Sequence, residues 1–249
     1  MKKYLAFLLI AIMAVSVLSA AGVVTTQTAA AQPTVSVLSA TGVVTTQKTA
    51  AQAALPAVVV NYKPGATYRY APWQFNYQYA WFDNYSGTNI QHSETTGVGT
   101  AYSSIHTTQT QAGDSYAGVG MYWQLNLPSG VTWATVKNMP CKVTVTGFYV
   151  IEERGNQDTY AYAAWGLYYS PNTKYSLVNG TNLHVKSARI TTTFYGTVGD
   201  LFNIDNIATH GTHQGGAGVQ VETLSDGAGQ ASAAIVGYSV VLQFPQVSG

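Results

Sequence analysis

The chain has 249 residues, of which 47% are apolar, 12% aromatic and only 8% charged, with 18 tyrosines and a formal net charge of +1. An ordinary soluble domain carries about a quarter charged residues. Disorder is excluded because the apolar share is large enough to bury a core. The absence of a basic stripe argues against a nucleic-acid partner, and a single cysteine, Cys141, excludes an internal disulfide, a CxxC pair and a multi-cysteine zinc site.

The N-terminus reads as an export signal. Lys2 and Lys3 precede an apolar run from Tyr4 to Leu18, and Ser19-Ala20-Ala21 supplies small residues for cleavage, giving a signal peptide over 1–21. The protein is therefore expected to be secreted, at the cell surface, meeting the membrane only in transit. Val15–Gln32 then recurs as Val35–Gln52 at an offset of 20 residues, with differences only at Ala21/Thr41, Thr28/Lys48 and Ala29/Thr49. The duplication creates a second small-residue site at Ala51-Gln52-Ala53, so cleavage can extend to 53. Without Lys2, Lys3 and Lys48, eight cations face ten acids, a net of −2 from Ala54 onward. Residues 22–62 read as a low-complexity arm. Its end, with Leu55, Ala57, Val58, Val59, Val60 and Tyr62 after Pro56, suits a donor strand that completes a neighbouring subunit's sheet.

From about Tyr68 to the end the pattern is β, giving one domain over 63–249. The run Tyr68–Phe82 alternates aromatics with Gln and Asn; Tyr68, Tyr70, Trp73, Tyr77 and Tyr79 are candidates for burial, for contact with another subunit, or for stacking on sugar. Strands are expected near Trp73–Phe82, Gly99–Thr110, Ser115–Leu127, Val131–Lys137 and Val219–Leu224. Lys142–Glu152 alternates valine and threonine, with a bulge expected at Gly147. Thr159–Tyr169 places Ala161, Ala163, Trp165 and Leu167 opposite Tyr160 and Tyr162. Ser187–Val198 places Ile190 and Phe194 opposite Arg189 and Tyr195. Ala233–Phe244 groups Val236, Tyr238, Val240, Leu242 and Phe244. Only Asp200–Thr209 suits a short helix. The fold class is all-β: a two-sheet antiparallel sandwich of jelly-roll type with at most one short helix.

Chemistry is sparse. Asp200, Asn203 and Asp205 offer an oxygen-rich loop for Ca²⁺, or Asp200 caps the helix. No other cofactor is implied. His210 and His213 lack evident further zinc ligands, although Glu222 and His184 are available. Glu152 and Glu153 face opposite ways on a strand, leaving Glu94, Asp114 and Glu222 to pair across sheets in a glycosidase. Gln124 beside Trp123 suggests the glutamine of a glutamic-type peptidase. Asn84 and Asn179 begin glycosylation sequons on turns. Cys141 reads as a small buried hydrophobe.

In its layout of signal, arm and charge-poor β-domain, the chain resembles the exported sandwich subunits of archaeal bundling pili, cannulae and bacterial biofilm fibres. That resemblance implies a non-enzymatic, self-assembling filament subunit joined by donor strands, with copies of itself as partners and metal ions at some subunit boundaries. A carbohydrate-binding module with glycans as partners, or a sandwich hydrolase, is the alternative.

Overall fold

The computed structural model describes residues 57–168, 172–203 and 213–246. The signal, residues 22–56 of the arm with Leu55, and Tyr169, Asp205 and His210 lie outside them. In chain order the described strands are β1 (Val58–Asn61), β2 (Thr67–Tyr70), β3 (Tyr77–Ser86), β4 (Gln91–Gly97), β5 (Thr100–Thr107) and β6 (Ala112–Asn126). They continue with β7 (Pro140–Gly155), β8 (Thr159–Leu167), β9 (Thr173–Asn179), β10 (His184–Thr197), β11 (Gln214–Asp226) and β12 (Gly229–Gln243).

Two sheets face each other. One runs β6-β11-β8-β9; the other runs β10-β7-β12-β5-β4. From β5 onward the hydrogen-bonded pairs nest as β5 with β12, β6 with β11, β7 with β10 and β8 with β9, and the members of each pair run antiparallel. That nesting is the jelly-roll wrap, so the sandwich expected from the sequence is the fold observed. The remaining strands extend its edges. Antiparallel β3 and parallel β1 share the outer edge of β6 end to end, and β2 pairs the last residues of β12.

The core follows the period-2 alternation. On β6, Ala117, Val119, Met121, Trp123 and Leu125 are buried between the sheets, and on β8 Ala161, Ala163, Trp165 and Leu167 are buried as the alternation predicted. Trp123 is fully buried among Tyr70 and Phe202. One end of the interior is polar. Ser103 donates to the Ser115 carbonyl at 2.7 Å and lies 2.7 Å from the Thr223 hydroxyl; Thr107 donates to Ser225 at 2.6 Å. Part of the hydroxyl content that composition assigns to the surface is thus paired inside, where unpaired polar groups would be costly.

The structure corrects several expectations. The segment Val58–Tyr62 is part of the domain, not of a free arm: β1 pairs with Trp123–Asn126, and Val60 and Tyr62 are buried in its own core. Val59 points away and is exposed, and Ala57 and Val58 are half-buried. Tyr70 is core rather than surface, and Tyr68 is half-buried with its ring edge-on against Phe244. Val131–Lys137 is not a strand; Trp133–Val136 forms a helical turn, started by the Thr132 amide donating to Thr135 Oγ1 at 3.2 Å. A second short helix spans Val198–Leu201, earlier than expected, and Pro72–Gln74 is a 3-10 turn where a strand was expected.

The bulge is in β12 rather than at Gly147. The register steps between Val236 and Ser239, with Gly237 at φ +63°, so two β12 residues oppose one of β7. The extra residue switches the buried set from Ala231, Ala233 and Ile235 to Tyr238, Val240 and Leu242. Val236 therefore belongs to the outer face, not with Tyr238. Strands β4 and β9 were not anticipated because they are polar edge strands without a buried stripe.

Cys141 is 2% exposed, and burial pushes its thiol up to about 12. A thiol reagent is therefore expected to modify Cys141 only after denaturation, with no native-state reaction at pH 8 in a colorimetric thiol assay.

Candidate functional site

The outer face of the β6-containing sheet concentrates the aromatic residues. Alternation on β3 sends Tyr77, Tyr79, Trp81 and Asp83 outward, and register places them opposite Gly120, Gly118, Tyr116 and Asp114 of β6. Across β6, Tyr122, Gly120, Gly118 and Tyr116 align with Gly216, Gly218, Gln220 and Glu222 of β11. Next, Gly218, Gln220, Glu222 and Leu224 align with Gly166, Ala164, Tyr162 and Tyr160 of β8. Tyr175 of β9 lies opposite Ala164 and is 68% exposed.

Six of the rings, Tyr77, Tyr79, Trp81, Tyr116, Tyr122 and Tyr168, form one continuous field, and Tyr162 and Tyr175 form a separate pair. Trp81 stacks between Tyr79 and Tyr116, with centroids 4.9 and 4.6 Å away. Tyr77 meets Tyr79, Tyr122 and Tyr168 at 5.2–5.6 Å, and Tyr122 stacks on Tyr168 at 4.8 Å. Tyr162 stacks with Tyr175 at 6.0 Å. These contacts depend on a glycine floor. A Cβ at Gly118 would stand 2.3 Å from Tyr79, and one at Gly218 2.2 Å from Tyr168. Beside them runs a trough of about 120 Å³, floored by Ala164, Gly166 and Gly218 and walled by Tyr79, Tyr168 and Gln220.

Polar groups are fixed among the rings. Tyr79 donates to Gln220 Oε1 at 3.0 Å, and Tyr160 donates to Glu222 Oε1 at 2.9 Å. Gln220 Nε2 lies 3.4 Å from Glu222 Oε2. Tyr116 donates to Asp114 Oδ2. Asp114 is 2% exposed, and its Oδ1 has no hydrogen-bond partner. Burial first, then the nearby Glu222 and Asp83 charges, push its carboxyl up to about 7 against the pull of the Tyr116 hydroxyl. Burial likewise raises Glu222, and burial raises Tyr79 and Tyr160 with added repulsion from Glu222.

This makes a pH prediction. Asp114 titrates near 7 when folded and about 3.9 when unfolded. The folded state therefore holds a proton that the unfolded state has lost, and the contribution to stability falls as pH rises from about 4 to 7. Asp114→Asn should flatten this slope and raise stability at pH 8 by a few kcal/mol, read by urea unfolding across that range. A wild-type slope retained in the variant would contradict it.

The sequence-level candidates fare unequally. Tyr77 and Tyr79 join this face. Trp73 does not: it sits on the 3-10 turn, 76% exposed, where Pro72 packs against Gly99. Asp114 and Glu222 come together on one face, whereas Glu94 lies elsewhere, 2.9 Å from His92 and accepting from Ser115 at 2.6 Å. Gln124 lies on this same outer face, directly paired with Gln214 of β11. Glu153 points inward as alternation requires, fully buried beside His184, and burial raises its carboxyl. The Asp200 carboxylate is occupied by a capping box, accepting the Thr197 amide at 2.7 Å and the Thr197 hydroxyl at 2.8 Å. Asn203 is exposed, Asp205 lies outside the described residues, and among the described residues no group of three metal-binding side chains assembles. His213 stacks on Trp133 at 3.5 Å. Asn84 and Asn179 are exposed at strand ends. The sequence reading passed over Tyr116, Tyr122, Tyr168 and Gln220; the available signal was glycine at alternate positions in both β6 and β11, beside tyrosine in β6.

No family model and no curated protein matches the chain. Solved structures do. TmCBM61 in complex with β-1,4-galactotriose aligns at 12% identity over 65% of this chain and 86% of that one, with a TM-score of 0.27. A CBM4 structure aligns at 13% identity over 67% and 86% of the two chains, TM-score 0.24. The family 11 carbohydrate-binding module of the cellulase Lic26A-Cel5E of Clostridium thermocellum aligns at 7% identity over 75% and 99%, TM-score 0.23. At these scores the likeness carries no argument about ligand or activity.

Proposed function

We propose that this protein is an exported glycan-binding β-sandwich whose tyrosine-lined sheet face holds an oligosaccharide without cleaving it. The observation that supports this is the pairing, on one face, of a continuous ring field with hydrogen-bonding Gln220 and Glu222 beside an open trough. Aromatic faces suit the apolar C–H surfaces of sugar rings, and a few fixed polar groups suit their hydroxyls. Binding is favoured over hydrolysis because Asp114, the carboxyl with an acid's pKa near neutrality, is only 2% exposed and cannot reach a substrate. The test is binding of the secreted chain to a panel of neutral and anionic polysaccharides by affinity electrophoresis and calorimetry. Retardation by a neutral glycan without release of reducing ends supports the reading; no glycan bound at millimolar concentration refutes it.

Self-assembly into a surface filament is the second reading, and it rests on a different observation. β1 is a four-residue edge strand whose Val60 fills the core, so the equivalent segment of another copy can occupy the same seat with the same contacts. Deleting residues 54–62 should then abolish polymers seen by negative-stain microscopy. A monomer at every concentration and salt would rule this reading out.

A further inference from the structure

The glycan-binding reading leaves the charge of the ligand open, and the face itself is one-sided. Its carboxylates at the β3–β6–β11 end are Asp83, Asp114 and Glu222, with Asp226 at the last pair of β11 on β6, and none of the outward residues paired along β3, β6, β11, β8 and β9 is Lys, Arg or His. Asp83 and Asp114 are direct cross-strand partners, an arrangement in which like charges repel. Glu222, opposite Tyr116, is the diagonal neighbour of Asp114, about 7–8 Å away for that geometry. No salt bridge offsets any of the three among the described residues. Asp114 is nearly fully enclosed, and its Oδ1 has no partner. A buried carboxylate in that state is relieved by a nearby positive charge.

The surrounding rings point the same way. Trp81 and Tyr116 stand beside the carboxylates in stacked contact, and Tyr160 donates to Glu222. Aromatic faces attract cations. Taken with the repelling carboxylates, this end of the face disfavours uronic, sulfated or sialylated chains. We infer that the acidic end of the tyrosine face is a subsite for a positively charged amino group carried by the bound glycan, as on a glucosamine polymer with free amines. The inference rests on the glycan-binding reading. In it, Asp83 and Glu222 approach the ammonium, and the enclosed Asp114 supplies negative charge beneath them. The groups facing Asp114 are Asp83 and Tyr85 from β3, Tyr116 from β6, Glu222 from β11 and Tyr160 from β8. The ammonium would favour their ionised carboxylates, so affinity for a ligand of fixed charge rises with pH through the range in which Asp114 titrates.

The experiment uses the secreted chain and three oligosaccharides of equal length: a fully deacetylated glucosamine oligomer, its N-acetylated form, and an N,N,N-trimethylated form whose charge is fixed. Calorimetry at pH 5.5 and 8 is expected to give about tenfold tighter binding of the trimethylated than of the N-acetylated ligand at pH 8, and a smaller ratio at pH 5.5. Asp83→Asn and Glu222→Gln should each reduce that ratio; circular dichroism confirms folding, and a variant that fails to fold is replaced by Asp83→Ser or Glu222→Asn. Equal affinity for charged and neutral ligands overturns the amine subsite and leaves glycan binding intact. No binding of any of the three, with another neutral glycan bound, also overturns the subsite alone. No glycan bound at all removes the underlying reading as well. A preference that survives both substitutions, or saturable Ca²⁺ binding lost in Asp83→Asn, also overturns the amine assignment.

Discussion

Tyr79→Ala is expected to weaken glycan binding at least about tenfold, the scale of a central aromatic contact in a binding patch. Tyr79 occupies the middle of the face. Its ring lies over Gly118, contacts Tyr77 and Trp81, walls the trough and donates to Gln220. The alanine variant removes the ring and frees Gln220 together. Tyr79→Phe separates these effects: it keeps the ring and loses only the hydroxyl, so its loss should be roughly twofold to tenfold, the value of one hydrogen bond. Trp73→Ala is the control, because Trp73 is more exposed than any ring of the face yet lies on the Pro72–Gln74 turn. Its affinity should equal that of the parent. If Trp73→Ala and Tyr79→Ala reduced binding alike, the site would lie elsewhere.

The second large effect concerns stability. A Cβ at Gly218 would come within 2.2 Å of Tyr168 Oη, 2.5 Å of Cζ and 3.0 Å of Cε1. Real Cβ atoms do not approach so closely, so Tyr168 must leave its seat and its stack on Tyr122. Gly218→Ala is therefore expected to cost about 2–3 kcal/mol, a drop of roughly 4–12 °C in Tm for a domain of this size. The three nearest atoms all belong to Tyr168, which gives an internal check. In a Tyr168→Ala background the Gly218→Ala cost should fall by more than about 1 kcal/mol in a double-mutant cycle. Additive effects would show that the glycine answers to something other than the tyrosine. The same substitution should disturb the trough, so glycan affinity and stability fall together in Gly218→Ala, whereas Tyr79→Ala changes mainly affinity.

These contrasts show which parts of the protein its sequence encodes locally. The strands β6, β7, β8 and β12 were legible because one face of each meets the core, and a long buried stripe on a strand has a period of two. The same alternation placed Glu152 and Glu153 on opposite faces, and the pairing of the sheets decided that Glu153 is the inward one. Polar edge strands β4 and β9 carry no such stripe, because one flank of each lacks a neighbouring strand and little apolar area is at stake. Val131–Lys137 read as a strand because its apolar spacing suits either element; the Thr132–Thr135 hydrogen bond and the burial of Val136 decided for a helical turn. The bulge was misplaced for a related reason. Glycine marks a permissive position, but whether Gly147 or Gly237 takes the extra residue depends on the pairing of β7 with β12.

The candidate site belongs almost wholly to tertiary structure. Tyrosine abundance and charge poverty were plain from composition, and the alternation along the strands pointed to a low-charge β-sandwich without an evident catalytic motif. Composition could not say that Tyr79, Tyr116, Tyr122, Tyr162 and Tyr168 share one outer face, while Tyr62, Tyr70 and Tyr238 are buried in the core. Nor could it bring Asp83, Asp114 and Glu222 together, since they lie on three strands far apart in the chain. Alternation assigns each residue to one of two faces, but it does not say which face is outside or which strands are neighbours. The nested jelly-roll pairing makes that choice, because only the register of β3 on β6, β6 on β11 and β11 on β8 sets tyrosines over glycines and acids beside acids.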